Sequence, residues 1–289
     1  MGTAEADAIA ALPWRGKPED RPGIPVPPEA MPLRLRRRLR KRWRWVGAFD
    51  ERLMAFAAVV SVGPAGMTFW GVWDRERREL HERTRRSVPW RRREVEMRGP
   101  EVAVRAPGLE LDLAVEGGEP IECACPNGEG GYTWTRKLAG APVSGEVRIG
   151  GRTLSLDGRG VVDDSAGYHR RHTVWKWSAG VGEARDGRPV GWNLVSGIND
   201  PPSSSERTIW VDGAPSEPDP VGFEGLEAVR FADGSRLEFT AETERVHHER
   251  LPLIARSDYR APFGRFSGSL GGIELESGLG VMESHDVVW

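Results

Sequence analysis

Short apolar runs broken by turn residues recur along this chain so regularly that little room is left for helices. LMAFAAVVSV stops at Gly63-Pro64, MTFWGVW at Asp74, VAVRA at Pro107-Gly108 and LELDLAV at Gly117-Gly118. The pattern continues through YTWTRKL, GEVRIGGRTLSLDG, HTVWKWSAGVG, PVGWNLVSGI, RTIWVDG, LEAVRFADGSRLEFTAET, GRFSGSLGGIELESG and GVMESHDVVW. Intervals of roughly 8 to 12 residues are those of a β-sandwich or β-barrel. Gly150-Gly151 predicts a tight turn, and Ala232-Asp233-Gly234-Ser235 predicts a type I′ hairpin, because Asp-Gly readily takes positive φ. One short surface helix is expected over Asp74 to Arg86, where Arg/Glu pairs fall at helical spacing. Residues 1–30, with Pro22, Pro25, Pro27 and Pro28 and no periodic apolar face, read as a loose leader. A chain of 289 residues suits one large all-β unit or two lobes. If the chain forms two lobes they divide as 31–158 and 159–289, and no short-period repeat suggests a propeller or solenoid.

Composition narrows the classes. Hydrophobic content of 38% with 12 tryptophans supports a folded core. Residues 1–100 hold 22 Lys+Arg against 13 Asp+Glu, a net +9, and the remainder is −11. The basic stretch Leu33 to Trp45 reads as a solvated face whose Leu33, Leu35, Leu39, Trp43 and Trp45 cover a barrel. Arg91 to Arg93 after Trp90 reads the same way. Nucleic acid is not an expected partner, although peripheral contact with an anionic membrane stays open. Cys123 and Cys125 are too close for an easy disulfide and lack CxxC spacing, which favours a reducing compartment. The longest apolar run, Leu53 to Val60, is far shorter than the roughly 20 residues of a membrane span. The N-terminus lacks secretory-signal features, so a cytoplasmic location is expected.

No GxSxG, HExxH, GxxxxGK[ST] or helix-opening GxGxxG occurs, so common hydrolase, zinc-protease and nucleotide readings lack support. In strands, His169/His172 and His247/His248 point to opposite faces, and neither a metal nor a cofactor is expected. Titratable and aromatic side chains concentrate instead between Asp163 and Gly180, DDSAGYHRRHTVWKWSAG. If Tyr168 to Ser178 forms one strand entered through an Asp163-Asp164 turn, Tyr168, Arg170, His172, Val174 and Lys176 share a face. Arg171, Thr173, Trp175 and Trp177 share the other. Such tryptophans commonly fill a barrel core, and His172 bonded to Asp163 or Asp164 would be ordinary structure. Alternatively, the titratable face lines an apolar cavity, where desolvation would raise a carboxyl pKa and make it a general acid. Aromatic faces would stabilise a cationic intermediate by roughly 1–2 kcal/mol each. The candidate catalytic groups are Asp164, Tyr168, His172, Asp200 and Glu283. The candidate ligand contacts are Trp134, Trp175, Lys176, Trp177, Asn193, Asn199 and His285.

The run from Tyr132 to Gly182, then WNLVSGINDPPSSSERTIWVDG and the terminal GVMESHDVVW, resembles the bacterial family known as domain of unknown function 2804. More distantly, the chain is similar to the tandem lipocalin-like group containing carotenoid 1,2-hydratase (hydroxyneurosporene synthase). That resemblance implies two packed lipocalin-like antiparallel β-barrel lobes with an apolar, isoprenoid or lipid-like ligand in or between them. It also implies cofactor-free hydration, isomerisation or cyclisation, with an aspartate acting beside histidine, tryptophan and tyrosine. His172 with Trp175 or Trp177 would stand for the group's His-x-Trp element at a different spacing. Asp200 falls near its Tyr-x-Asp, with Ile198 in place of the tyrosine. A lipid carrier without chemistry and an interaction module using the basic first lobe are the other expected classes.

Overall fold

In the computed structural model, residues 3–87, 93–251 and 255–289 are described. The chain is all-β and builds two curled antiparallel sheets. The first contains β1 (Lys41–Phe49), β2 (Leu53–Val62), β3 (Ala65–Asp74), β4 (Glu79–Ser87), β5 (Val95–Arg98), β6 (Glu101–Ala106), β7 (Leu109–Val115), β8 (Tyr132–Ile149) and β9 (Arg152–Gly167). The second contains β10 (His172–Ala184), β11 (Pro189–Ser196), β12 (Thr208–Val211), β13 (Ala214–Ser216), β14 (Gly222–Glu224), β15 (Ala228–Arg230), β16 (Arg236–Leu251), β17 (Ala255–Leu270) and β18 (Ile273–Val288). Along their main paths the orders, β4-β3-β2-β1-β9-β8-β7-β6-β5 and β13-β12-β11-β10-β18-β17-β16-β15-β14, match strand for strand; the first sheet also carries Trp14–Gly16 and Ile121–Pro126 off its path, and Arg34–Leu35 pairs with Arg38–Leu39 in a separate small ribbon. In each, the first strand of the lobe pairs with its last. The chain changes sheet at residues 168–171, and position 158, the expected lobe boundary, lies inside β9.

Alternation of side chains fills three cores. Val46, Ala48, Leu53, Val72, Val104, Leu111 and Val147 belong to an aliphatic core inside the first curl. Trp192, Leu194, Val229, Leu237, Phe266 and Met282 belong to the core of the second. Both interiors are occupied by the protein's own side chains. The third core joins the lobes: Trp45 meets Trp177 edge-on at 5.4 Å, and Phe56 stacks on Phe263 at 4.6 Å. Each such aromatic burial stabilises the assembly by roughly 1.5–3 kcal/mol. The free edges of the first curl are drawn together by Glu94, just before β5, which pairs with Arg85 of β4 at 2.8 Å.

The lobes touch backbone to backbone where β8 bulges at Gly140. A Cβ on Gly191 of β11 would lie 2.5 Å from the Ala139 carbonyl carbon and 2.6 Å from the Gly140 nitrogen. Gly191→Ala is therefore expected to destabilise by about 1–3 kcal/mol, because backbone rather than a flexible side chain must give way. Urea unfolding measures this, and faster hydrogen exchange in β8 and β11 should accompany it.

Several sequence expectations need correction. Residues 74–86 form a turn and a strand, Glu79–Ser87 being paired along its length with β3; the short helix is Thr3–Ala10 instead. The Arg/Glu spacing that suggests a helix also suits a strand with an exposed face, and an unpaired β3 edge decides the outcome. The leader is irregular over most of its length but not loose. Ile9, Leu12, Ile24, Val26 and Met31 are buried against Tyr132, Trp134 and Tyr168, and Trp14–Gly16 pairs with the strand Ile121–Pro126. Arg21 clamps the buried Glu122 carboxylate with bonds of 2.8 and 2.7 Å. Residues 231–235 do connect a hairpin, but only Gly234 there has positive φ, so the turn is not type I′. Leu33 and Leu39 are 49% and 40% exposed rather than packed on a barrel, whereas Trp43 and Trp45 face the other lobe. Trp90, Arg91 and Arg92 lie outside the described residues.

Candidate functional site

The segment from Asp163 to Gly180 does not form one strand. Asp163 and Asp164 lie within β9 rather than in a turn, and the chain breaks at Tyr168, whose hydroxyl donates to the Pro32 carbonyl at 2.7 Å in the leader core. Period two holds along β10, but the inward face is the aromatic one. Trp175 and Trp177 are buried, while His172 and Val174 are exposed and Lys176 is half-buried on the opposite face. Burying two indoles outweighs burying a histidine and a lysine. His172 bonds Asp286 at 2.9 Å on the surface. His172→Ala is accordingly expected to change stability by less than about 0.5 kcal/mol and leave ligand affinity unchanged, as thermal shift and titration would show.

The chemistry gathers where the lobes meet. Asp163 of β9 lies opposite Trp45 of β1, and Glu283 of β18 lies opposite Trp177 of β10, so the two carboxylates occupy equivalent registers. In each lobe, the tryptophan two residues earlier reaches the carboxylate. Trp43 Nε1 donates to Asp163 Oδ2 at 3.3 Å, and Trp175 Nε1 donates to Glu283 Oε1 at 2.7 Å. These two indoles stack, with 6.4 Å between centroids and 4° between planes. A Trp-x-Trp strand facing a carboxylate is thus present twice, as Trp43-Arg44-Trp45 with Asp163 and Trp175-Lys176-Trp177 with Glu283.

The copies differ at one neighbour. Lys137 of β8 opposes Asp163 and is ion-paired with it, and Glu206 lies 3.4 Å from the same ammonium. Burial works against the Lys137 charge, but the two carboxylates outweigh it and raise its pKa. In the second lobe, the register pairing Arg260 with Ser284 and Phe263 with Val281 puts the fully buried Ala261 opposite Glu283. Among the described residues Glu283 therefore has no cation ion-paired with it. Burial pushes its carboxyl up to about 7 and nearby Asp163 adds to the effect, against hydrogen bonds from Trp175 and Tyr259 and the charge of Lys137. Two carboxyl groups in contrasting surroundings are the arrangement from which acid/base pairs are built.

The surrounding residues fix this geometry. Asn193 accepts from Trp177 Nε1 at 2.8 Å and donates to the Glu206 carbonyl, while Asn199 donates to the Glu206 carboxylate at 3.0 Å. His285 packs on Trp175 at 4.3 Å and contacts Ser257 Oγ through Nε2 at 2.8 Å. Burial depresses its pKa to about 3, so at neutral pH it is an uncharged wall rather than a proton donor. Tyr259, Trp43, Glu283 and His285 keep partial solvent access, and Phe69, Leu80 and Trp289 are partly exposed hydrophobics packed against the same interlobe core. Arg245 lies over Phe69 at 4.6 Å and Tyr259 at 5.4 Å.

Of the residues expected from sequence, Glu283, Trp175, Trp177, His285, Asn193 and Asn199 come together here. Asp164 points to the other side of β9, 3.4 Å from Arg44 and 3.9 Å from Arg136. Asp200 accepts from the Gly197 N–H at 2.8 Å and shapes a turn, and Trp134 donates to Glu122 beneath the leader. Lys176 and His172 lie outside the site. Asp163, Lys137, Glu206, Tyr259 and Trp43 complete it; the repeated Trp-x-Trp is a sequence signal for Trp43 and Asp163, whereas Lys137, Glu206 and Tyr259 arrive only through cross-strand and cross-lobe contacts. Among the described residues no His/Cys/Asp/Glu group has metal-binding geometry, and no helix is long and apolar enough to cross a membrane.

An all-β protein of two curled antiparallel sheets with an acid-bearing junction is the class defined by these features. The chain belongs to the family described as domain of unknown function (DUF2804), whose model matches residues 91–289. No curated protein sequence matches significantly. Among solved structures, kievitone hydratase from Nectria haematococca is similar, with 11% identity and TM-score 0.49 over 86% of this chain and 88% of that one. CghA is similar at 12% identity and TM-score 0.46, over 86% of this chain and 88% of that one. At such levels neither bears on chemistry.

Proposed function

We propose that the protein binds a small, largely apolar molecule between its lobes and transfers a proton to it without a cofactor, with Glu283 as general acid. The supporting observation is a half-buried carboxyl with no ion-paired cation among the described residues, raised to about 7 beside stacked indoles and partly exposed apolar side chains. A general acid works best with a pKa near the operating pH. For an alkene, Glu283 Oε–H would add its proton to one carbon, and the indole faces would stabilise the carbocation left on the other. Addition of water there, with the water's proton returning to the Glu283 carboxylate, gives net hydration and regenerates the acid. Loss of a different proton to that carboxylate gives isomerisation, and attack by a second double bond before proton loss gives cyclisation.

An isoprenoid or other lipid-like substrate is the proposed class, because the partly exposed Phe69, Leu80 and Trp289 offer aromatic and aliphatic surface at the interlobe core. The test is incubation with a panel of isoprenoid alkenes in D2O enriched in H2¹⁸O, followed by mass spectrometry. Deuterium on carbon is expected, with ¹⁸O as well if water adds, and the rate should fall as pH rises through about 7 because the acid must be protonated. Saturable binding without isotope incorporation would instead favour a carrier.

A further inference from the structure

Lys41, at the start of β1, is 3% exposed and has no carboxylate within ion-pairing distance among the described residues, the one charge acting on it being the Arg38 cation. Its Nζ lies 5.0 Å from the Trp289 ring centroid, and its one recorded hydrogen bond, to the His169 carbonyl, is a long 3.4 Å. His169 is fully buried, and among the described residues its ring nitrogens make no well-formed hydrogen bond, only an approach to the Gly167 backbone. A buried ammonium with no carboxylate partner, beside an imidazole without a well-formed hydrogen bond, costs stability, so the pair calls for an occupant that supplies negative charge and hydrogen-bonding oxygens. We propose that Lys41 and His169 form an anion subsite that takes the carboxylate of an amphipathic acid whose apolar body lies along Trp43 and Trp175.

The subsite is continuous with the acid site. Lys41, Trp43 and Trp45 share one face of β1, and the His169 ring lies 5.2 Å from Trp43, which stacks on Trp175 beside Glu283. Four residues of strand separate Lys41 from Trp45, about 13 Å. A ligand anchored at Lys41 would therefore present a carbon well removed from its carboxylate to Glu283. One ammonium and one imidazole N–H suit the single charge and two oxygens of a carboxylate better than a phosphate dianion, which favours more cationic donors. The titration behaviour agrees: burial, with Arg38 adding, lowers the Lys41 amine to about 8, and burial with the Lys41 charge lowers His169 to about 3 despite a backbone contact at Gly167. An anion would reverse the cost to Lys41. The Trp289 ring closes over the ammonium, and the entering carboxylate takes that place.

This inference rests on the interlobe site proposed above and narrows its ligand. It is tested by titrating the full chain with naphthalene-2-carboxylate and its uncharged carboxamide, read by tryptophan fluorescence. A second readout is the Lys41 amine pKa from ¹⁵N-lysine NMR, where Lys17, Lys41, Lys137 and Lys176 are the lysines to resolve. The acid is expected to bind about tenfold more tightly than the amide. Lys41→Met should abolish this preference and Lys41→Arg should keep part of it. Saturation with the acid, but not the amide, should raise the Lys41 pKa. Equal affinities in the wild type, a preference surviving in Lys41→Met, or no binding of either probe at millimolar concentration would overturn the proposal. If Lys41→Met does not fold, the wild-type pKa change and Lys41→Arg still decide. Glu283→Gln should retain the preference, so discrimination of the acid without proton transfer would contradict the catalytic reading alone.

Discussion

Glu283→Gln is expected to lower turnover by about 10²–10⁴-fold while preserving the fold. Glutamine matches the carboxylic acid in shape and can still accept from Trp175 Nε1, so the loss reports the proton rather than packing. Stability provides an independent readout. The folded-state pKa of Glu283, about 7, lies above the unfolded value of roughly 4.3. Its contribution is therefore fully present below about pH 4.3 and is lost as pH rises through about 7. That loss amounts to at most about 3 kcal/mol, reduced because Glu283 keeps partial solvent access. The variant should match the wild type near pH 4 and exceed it in stability at pH 8. Urea unfolding at both pH values measures this, and unchanged turnover would remove Glu283 as the acid.

Lys137→Met should have the largest effect on stability, about 3–5 kcal/mol at pH 7, because it leaves Asp163 and Glu206 buried without their shared cation. The Glu206 pKa is already raised by burial. Without Lys137 the ionised form of Glu206 is disfavoured further, so the deficit should shrink as pH falls and that carboxyl takes up its proton. Adding Asp163→Asn and Glu206→Gln should recover much of the loss, since removing a whole buried charge network is far less disruptive than removing one member. Denaturant unfolding of the single and triple variants between pH 4 and pH 8 separates these contributions. A Lys137→Met protein as stable as the wild type would contradict the ion-pair assignment.

Much of the fold is legible in the chain because turn chemistry and period two are local. The run LMAFAAVVSV is β2, and Gly150-Gly151 closes β8 onto β9 with both residues at positive φ. Local signals fail where a distant partner decides. Residues 79–87 become a strand because β3 needs an edge partner, and β10 turns its tryptophans inward because the other lobe offers Trp45 and Trp43. Glu283 stands out as an acid beside His285 near Trp289, but its lack of a cation depends on Ala261 lying opposite, a fact of register. Lys137, Glu206 and Tyr259 join the site only through cross-strand and cross-lobe contacts. The duplicated unit was within reach: Trp43-Arg44-Trp45 and Trp175-Lys176-Trp177 repeat one another, as do Val161-Val162-Asp163 and Val281-Met282-Glu283. It eludes a search for short periods because the copies are a whole lobe apart.

The ionisation of Glu283 tests the central claim most directly. With ¹³C-labelled glutamate and Glu283→Gln for assignment, its side-chain carboxyl resonance followed from pH 3 to pH 9 should titrate near 7. A midpoint near the ordinary glutamate value of about 4.3 would mean that Glu283 is ionised at neutral pH and cannot be the proton donor.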